Sequence, residues 1–496
     1  MWGRLAGVVF VFVASAGCGA GEAQEPGAPE AEAVESELPP TAEPRPVESR
    51  PHLAAEPLPI AESIPTPGRL LDDDPGAGSA ASRLEAPKAP RCEADAGARP
   101  CFVRPDSIRG IYLNAWAAGS ARRLDNLLAL ARRTEINTFV IDIKDATGFV
   151  SHASSLPEVR AAGADEEIRI RDLSGLLRRL EGEGIYPIAR IVIVKDPLLA
   201  AARPELAVQD TAGGIWLDSK GIAWLNLYDE RVWDYHTSLA VEVAKIGFPE
   251  IQWDYVRFPD APESDLARAR FPGDSLGPRT EAVRGFLTSA REELRTTGLD
   301  LRHTADVFGV TTSFRNDVGI GQLWERFIDR VDAALPMVYP SHYWAGSFGY
   351  RVPNAHPYAV VREAIASAIR RSAEVDSAGE VIPWLQDFTL GAPAYGSPEV
   401  RAQIEATYDA GAKDWILWNP GSRYTEAALR PVEGWHHEPH VRVGARIVPV
   451  SDRLAAFEVA VDSVRRARVV TDSLRADSIA ELRAAGAAPD TLLRQR

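Results

Sequence analysis

The sequence has few cysteines, no basic run and, after its first twenty residues, no long apolar run. Its 496 residues include 55 Lys+Arg and 70 Asp+Glu, a formal net charge of −15. This balance argues against a nucleic-acid partner, which favours a basic surface. The lack of an apolar run of about 18–20 residues excludes a polytopic membrane protein. The 12 Trp, 12 Tyr and 15 Phe are enough aromatic mass for a folded core.

Residues 1–18 have the pattern of an export signal. Arg4 provides a positive charge, residues 5–16 form an apolar stretch, and small residues precede Cys18. The pattern resembles a bacterial lipoprotein signal, in which this cysteine is lipidated and becomes the new N-terminus. We therefore predict lipidation of Cys18 and a lipid-anchored location in the cell envelope, on the outer membrane or the periplasmic side. A cleaved secretory signal, which predicts a secreted protein, and an uncleaved anchor helix are the alternatives.

Residues 19–101 are predicted to be a disordered linker. From residue 19 to residue 100 there is no Phe, Tyr or Trp, and the stretch holds 15 of the 37 prolines. Such a composition buries too little apolar surface to offset the conformational entropy lost on folding. At the end of this segment, Cys92 and Cys101 are predicted to form a disulfide in an oxidising compartment. Metal binding by this pair is less favoured, because no histidine lies nearby.

Residues 102–430 alternate short β-rich runs with amphipathic helical stretches. Strands are predicted at 110–116, 138–145, 186–195, 250–258, 301–310, 333–339, 381–388 and 414–419. Helices are predicted at 120–133, 172–183, 229–246, 279–296, 320–330, 358–371 and 398–410. Near-continuous apolar strands are typical of a parallel sheet that helices cover.

This alternation predicts an α/β fold, a closed (β/α)₈ TIM barrel. An open doubly wound sheet is the alternative, ranked second because no Gly-rich phosphate loop follows the first strand. Residues 431–496 are predicted to be a C-terminal extension, mostly helical or disordered. It would contain a short strand at 441–450 and a helix from residue 451.

Carboxylates end several predicted strands, at the edge where barrel enzymes build their sites. Aspartate disfavours a strand and is costly to bury, so its presence there requires a reason. Side-chain alternation predicts that Asp254, Asp306 and Asp387 point into the barrel near its mouth. The same alternation gives Asp142 and Lys144 a common face, where the lysine would keep the aspartate ionised.

A purely structural role competes with a chemical role at these positions. Asp142 and Lys144 could form only a buried ion pair, and Asp254 could serve only as a partner for Arg190 or Arg257.

Aromatic residues are frequent at the same strand ends. They are Tyr112, Trp116, Trp253, Tyr339, Tyr343, Trp344, Trp384 and Trp418. Aromatic rings stack on the apolar faces of sugars, and glycoside hydrolysis uses a pair of carboxyl groups. Carboxylates and aromatic residues at one rim therefore favour a carbohydrate cleft.

Four segments resemble a bacterial glycosyl hydrolase-like domain family of unknown function. They are 110–116 (GIYLNAW), 139–148 (FVIDIKDATG), 189–197 (ARIVIVKDP) and 224–259, which ends in WDYVRFP. The resemblance spans roughly residues 105–430 and implies a TIM barrel distantly similar to the α-amylase-like glycosidases. In those enzymes the nucleophile is an Asp that ends the fourth strand, which corresponds to Asp254. Their acid and third carboxylate correspond to Asp306, where they have Glu, and to Asp387.

The sequence thus predicts a glycoside hydrolase that cleaves a cell-envelope or extracellular polysaccharide by carboxylate acid/base catalysis, without a cofactor or metal. Asp254 is the predicted nucleophile or base, Asp306 the first candidate for the acid, and Asp387 the second. The predicted substrate-binding residues are Asp142, Lys144, Arg190, Trp116, Tyr339, His342, Tyr343, Trp384 and Trp418.

Two other classes remain open from the sequence. One is a non-catalytic glycan-binding TIM barrel, which would have the same aromatic rim but no second carboxylate near Asp254. The other is a metal-dependent polysaccharide hydrolase or deacetylase, with ligands drawn from His303, His342, Asp142 and Asp306.

Overall fold

The structure is a computed structural model that describes residues 99–432, 440–443 and 446–449. These residues belong to the second of two compact units, Glu85–Arg496. The predicted signal with Cys18, most of the predicted linker, and the helix predicted from residue 451 lie outside the described residues. Cys101 is disulfide-bonded. Cys92 also lies outside the described residues, so its pairing with Cys101 stays a prediction.

Eight parallel strands form a closed ring, which confirms the predicted TIM barrel. They are β1 (Arg109–Leu113), β2 (Thr138–Lys144), β3 (Tyr186–Val192), β4 (Glu250–Asp254), β5 (Arg302–Phe308), β6 (Ala333–Met337), β7 (Trp384–Gln386) and β8 (Trp415–Trp418). Each strand pairs with the next in the chain, and β8 pairs with β1. The ring closes where Trp384 of β7 pairs with Met337 of β6. A short strand before β7, Glu380–Val381, also pairs with β6.

Helices lie between the strands of the barrel. Those that the structure describes are α1 (Ala115–Gly119), α2 (Ala121–Arg133), α3 (Pro157–Ala161), α4 (Leu173–Gly182), α5 (Pro197–Ala202), α6 (Glu230–Ile246), α7 (Glu263–Leu266), α8 (Arg279–Thr296), α9 (Trp324–Phe327), α10 (Pro357–Ser372) and α11 (Ser397–Asp409). None of them is both long and apolar enough to cross a bilayer.

Amphipathic spacing explains how α4 forms and packs. Leu173, Leu176, Leu177 and Leu180 are all buried, as their helical spacing requires. Asp172 caps the helix, because its Oδ1 accepts a hydrogen bond from the Gly175 backbone N at 2.7 Å. The leucine spacing that predicts a helix at 172–183 therefore also produces the apolar face that packs against the barrel.

Three local predictions differ from the structure. The helix predicted at 320–330 is reduced to α9, because Gly321 has φ +83° and ends a turn rather than continuing a helix. The first strand ends at Leu113, so Trp116 lies on α1 instead of on the strand. At the C-terminal side, residues 440–443 and 446–449 form an antiparallel hairpin in place of one strand.

The side chains of the barrel form two apolar layers that follow strand alternation. The larger layer lies between the strands and the helices, and it includes Phe139, Ile141 and Ile251. The smaller layer fills the ring, with Val140, Ile188 and others from the opposite strand faces. On the same inward faces, nearer the carboxyl ends of the strands, lie the polar residues Asp142, Arg190 and Asp254.

Candidate active site

Arg190 lies at the centre of a buried cluster that joins β2, β3, β4 and β5. Its Nη1 donates to Asp142 Oδ1, its Nη2 donates to Asp254 Oδ2, and its Nε lies 3.7 Å from Asp306 Oδ2. All four side chains are buried, and only 5% of Asp254 is exposed. Three predicted carboxylates thus meet one guanidinium group in the barrel.

Burial and neighbouring charges have opposite effects on the pKa of Arg190. Burial alone would lower the pKa of its guanidinium group, but the negative charges of Asp254 and Asp142 outweigh burial and raise that pKa. The group therefore stays charged, and it compensates only part of the surrounding negative charge. Asp142, Asp254 and Asp306 therefore share the positive charge of Arg190.

Asp306 is the carboxyl group that is most strongly driven to hold a proton. Burial and the nearby negative charge of Asp254 raise the pKa of Asp306 well above its ordinary value, although Arg190 opposes them. Trp384 Nε1 donates to Asp306 Oδ1 at 2.6 Å and fixes the orientation of the carboxyl group. A carboxyl group with a raised pKa is suited to act as an acid.

Asp142 lies between Arg190 and Tyr112. The Tyr112 hydroxyl donates to Asp142 Oδ2. Burial raises the pKa of Asp142 from 3.8 to about 6, even though Arg190 and Tyr112 both favour its ionised form. The prediction that Lys144 pairs with Asp142 is therefore wrong, because Asp142 contacts Arg190 and Tyr112 instead.

The raised pKa of Asp142 gives a testable dependence of stability on pH. The folded protein holds this proton more tightly than the unfolded chain, so between about pH 4 and pH 6 the folded state binds more protons. The stabilising contribution is complete below about pH 4 and is lost as the pH rises through about 6. The loss amounts to about 3 kcal/mol.

We expect denaturant titrations to report this loss as a difference between two proteins. From pH 4 to pH 6.5, the free energy of unfolding of the wild type should fall relative to that of Asp142→Asn, which has no proton to lose at this position. Parallel pH curves for the two proteins would contradict the assignment.

A bulge explains why Lys144 is not beside Asp142. The register between β2 and β3 shifts between Asp142 and Lys144, which moves the lysine off the face predicted by simple alternation. Its ammonium is fully buried, donates to the Val192 carbonyl at 2.8 Å and lies 2.8 Å from Asp196 Oδ2. Asp196 also caps α5 through the Leu199 backbone N. Lys144 thus holds the β3–α5 connection.

Aromatic residues occupy the other half of the mouth: Tyr339 follows β6, and Trp384, Trp418 and Tyr112 lie on β7, β8 and β1. Trp418 stacks on Tyr112 with ring centroids 3.9 Å apart, and Trp384 meets Trp418 edge to face at 5.4 Å. The Arg190 guanidinium lies 5.1 Å from the Trp418 ring centroid and so joins the two halves. Burial and the charges of Asp306 and Asp254 raise the pKa of Tyr339, which keeps its hydroxyl protonated.

Asp387 has partners outside the Arg190 cluster. Its Oδ2 accepts from the Thr425 backbone N at 2.8 Å, and its Oδ1 accepts from the Thr425 hydroxyl at 2.6 Å. Burial raises the pKa of Asp387, and both hydrogen bonds to Thr425 oppose this shift. The carboxyl group ties β7 to the loop after β8.

The remaining predicted binding residues differ in exposure. Trp116 is 56% exposed, and the Arg169 guanidinium lies 5.3 Å from its ring centroid. His342 is exposed and packs against Tyr339 and Phe388. Tyr343 is buried against Phe348. Their roles in binding stay predictions.

The four residues named as metal ligands from the sequence do not share a site. His303 lies on the outward face of β5, opposite Asp306, with Trp253 Nε1 at 3.2 Å from its Nδ1 and Arg291 Nε at 3.0 Å from its Nε2. Within the part of the chain that the structure describes, no three histidine, cysteine or acidic side chains are grouped for metal binding.

Sequence reasoning missed two contributions to this region. Tyr112 was recognised only as an aromatic rim residue, although its position on β1 also directs its hydroxyl to Asp142. Tyr424 and Thr425 follow β8 in a loop without a recognisable motif, and they bind the Tyr112 carbonyl and Asp387. The contacts of Tyr424 and Thr425 become visible only in the folded structure.

The barrel and the carboxyl groups at the ends of its strands agree with a glycosyl hydrolase-like domain. A family model described as "Putative glycosyl hydrolase domain" matches residues 110–424. The chain belongs to this family. No curated protein matches it.

Three solved structures illustrate the similarity of the chain to known proteins. A hypothetical protein from Ruminiclostridium thermocellum is 37% identical, and the match covers 39% of this chain and 96% of that one, with a TM-score of 0.35. The PgaB (BpsB) glycoside hydrolase domain from Bordetella bronchiseptica is 13% identical, with 64% and 95% covered and a TM-score of 0.46. The PelA glycoside hydrolase domain from Pseudomonas aeruginosa is 12% identical, with 65% and 97% covered and a TM-score of 0.35.

Proposed function

We propose that this protein is a glycoside hydrolase that cleaves a cell-envelope or extracellular polysaccharide, with Asp254 as nucleophile or base and Asp306 as acid. One observation carries the proposal: the two carboxyl groups meet the same buried guanidinium group, and burial together with the charge of Asp254 raises the pKa of Asp306. The location in the proposal rests on the export pattern that ends at Cys18.

Glycoside hydrolysis requires this division of labour between two carboxyl groups. One must give a proton to the departing glycosidic oxygen, and the other must attack the sugar or activate water as an anion. Asp254 is ion-paired with Arg190, whereas burial and the negative charge of Asp254 raise the pKa of Asp306. The different surroundings of the two carboxyl groups support different roles for them in the proposed reaction.

The separation of the two groups favours an enzyme over a non-catalytic glycan-binding barrel. Side chains that contact one guanidinium group lie within about 10 Å of each other, the range that glycosidases use. The binding-only alternative predicts no second carboxylate in this range. The aromatic half of the mouth supports either class, because Trp418 is only partly buried and an aromatic ring can stack on the apolar face of a sugar.

A polysaccharide screen tests the proposed activity. The full chain would be incubated with envelope and extracellular polysaccharides, with the release of new reducing ends as the readout. We expect release from at least one polymer, and its loss in Asp254→Asn. Release that persists unchanged in this variant would disprove the assignment of Asp254.

The acid role of Asp306 has a separate test. We expect Asp306→Asn to lower kcat by about 10²–10⁴-fold on a natural glycan, because the leaving oxygen then receives no proton. Aryl glycosides of the same sugar with acidic phenols as leaving groups should be affected much less, since these leaving groups depart without a proton. An equal loss on both kinds of substrate would contradict the acid role, and Asp387→Asn would then be measured in the same way.

A further inference from the structure

Two cations without a role in the chemistry above lie against the ring of Tyr255, the residue that follows Asp254. Lys195 follows β3 by three residues, and Arg257 follows β4 by three residues. They contact the same two rings: the Lys195 ammonium lies 5.8 Å from the centroid of Trp224 and 5.4 Å from that of Tyr255, and the Arg257 guanidinium lies at 5.0 Å and 4.7 Å. We call Lys195 and Arg257 the cation pair.

The charge of the cation pair is only partly compensated. Arg257 is buried, and its Nη1 donates to the Phe258 carbonyl at 3.0 Å and to Asp260 Oδ1 at 2.8 Å. Among residues 99–432, Lys195 makes no ion pair within 4 Å, and its ammonium faces the two rings. Burial lowers the pKa of Lys195; the negative charge of Asp218 opposes this shift and Asp260 opposes it less, whereas Lys220 and Arg257 add to it. An anion in direct contact with Lys195 would offset the repulsion from Lys220 and Arg257.

The backbone at Tyr255 holds the cation pair next to the proposed catalytic carboxylate. Tyr255 directly follows Asp254 and has φ +54°, a conformation that a bulky residue adopts only when its surroundings enforce it. Its backbone N donates to Asp254 Oδ1 at 2.6 Å. One turn thus directs Asp254 to Arg190 and the Tyr255 ring to the two cations.

We propose that the cation pair is a subsite for an anionic group of the substrate, so that the glycan carries carboxylate, sulfate or phosphate groups. This inference rests on the proposed function and names its substrate class. The half-buried ammonium of Lys195 contacts the anion, and the buried Arg257 adds positive charge behind it. The position is selective, because the carboxylates of Asp142 and Asp254, which share the single guanidinium group of Arg190, repel an anion from the centre of the barrel. The chain as a whole has a net charge of −15, so the attraction is local.

Calorimetric binding with matched oligosaccharides tests this subsite. The probes are oligogalacturonate, chondroitin sulfate and phosphomannan oligosaccharides, each compared with its carboxyl-reduced, desulfated or dephosphorylated counterpart. We expect the full chain to bind at least one anionic probe at least about 10-fold more tightly than the neutral counterpart, a preference that falls with salt. The probe that binds identifies which anionic group is recognised.

A matched pair of lysine variants assigns the binding to Lys195. Lys195→Gln should weaken the anionic probe about 10-fold or more and leave the neutral probe unchanged. Lys413→Gln removes the same charge from an exposed residue before β8, at the opposite end of the barrel, and should bind like the wild type. Equal affinity for neutral and anionic probes, no binding of any anionic probe, or an unchanged Lys195→Gln would each overturn the subsite.

The proposed function has a different readout, so the two can fail separately. Asp254→Asn should still bind the anionic probe and should not cleave. Cleavage of a neutral polymer that depends on Asp254 would keep the glycosidase proposal and reject the anionic subsite. Anion binding through Lys195 without cleavage of any polymer would keep the anionic subsite and reject the glycosidase proposal.

Discussion

Asparagine in place of Asp254 is expected to lower kcat by about 10³-fold or more on any glycan that the protein cleaves. Asparagine keeps the shape of the side chain but supplies neither a nucleophilic anion nor a base. The melting temperature should change little, because asparagine keeps an oxygen that can accept a hydrogen bond from Arg190, and Arg190 keeps its ion pair with Asp142. Activity and thermal unfolding would be measured on the same preparations.

Asp234→Asn is the matched control for this prediction. Asp234 is exposed on α6, so the same substitution there removes one carboxylate far from the barrel interior. The control should retain wild-type kcat. Full activity in Asp254→Asn, or an equal loss in both variants, would remove Asp254 from the chemistry.

Methionine in place of Arg190 is expected to destabilise the fold by about 3–5 kcal/mol, because Asp142 and Asp254 would lose their shared buried cation. Methionine retains much of the apolar stem, so the effect reports mainly the charge. Denaturant titration at neutral pH would measure the free energy of unfolding. Arg178→Met, at an exposed position of α4, should cost far less.

A double variant separates the loss of charge from the loss of packing. Adding Asp254→Asn to Arg190→Met removes one of the two uncompensated carboxylates, so part of the stability should return. A strictly additive double variant would indicate that Arg190 acts through packing rather than through its charge.

The barrel could be predicted from sequence because its signals are local. Runs such as Phe139-Val140-Ile141 are apolar throughout, and helical periodicity such as that of the α4 leucines occurs between them. The aspartates at strand ends were also visible, because a carboxylate within an apolar strand is unusual. Asp254 and Asp306 follow strand alternation as predicted, and both meet Arg190.

The contacts of the site could not be predicted, because they depend on register and on loops. The bulge after Asp142 changes the neighbours of Lys144, and no composition signal marks it. Arg190 gathers carboxylates from three other strands, so its role exists only when the ring has closed. Thr425 reaches Asp387 from a loop that has no motif. Lys195 and Arg257 lie in two different loops and meet at the rings of Trp224 and Tyr255, a contact that the sequence of either loop does not predict.

The unlike halves of the mouth have a consequence for the proposed hydrolase. Carboxyl groups lie on the β2–β5 side and aromatic rings on the β6–β1 side. A glycan bound by the proposed hydrolase would therefore be expected in one orientation, with its bridging oxygen towards Asp306 and an apolar sugar face towards the ring side. Each cleavage would then leave the same kind of chain end on the same side of the barrel.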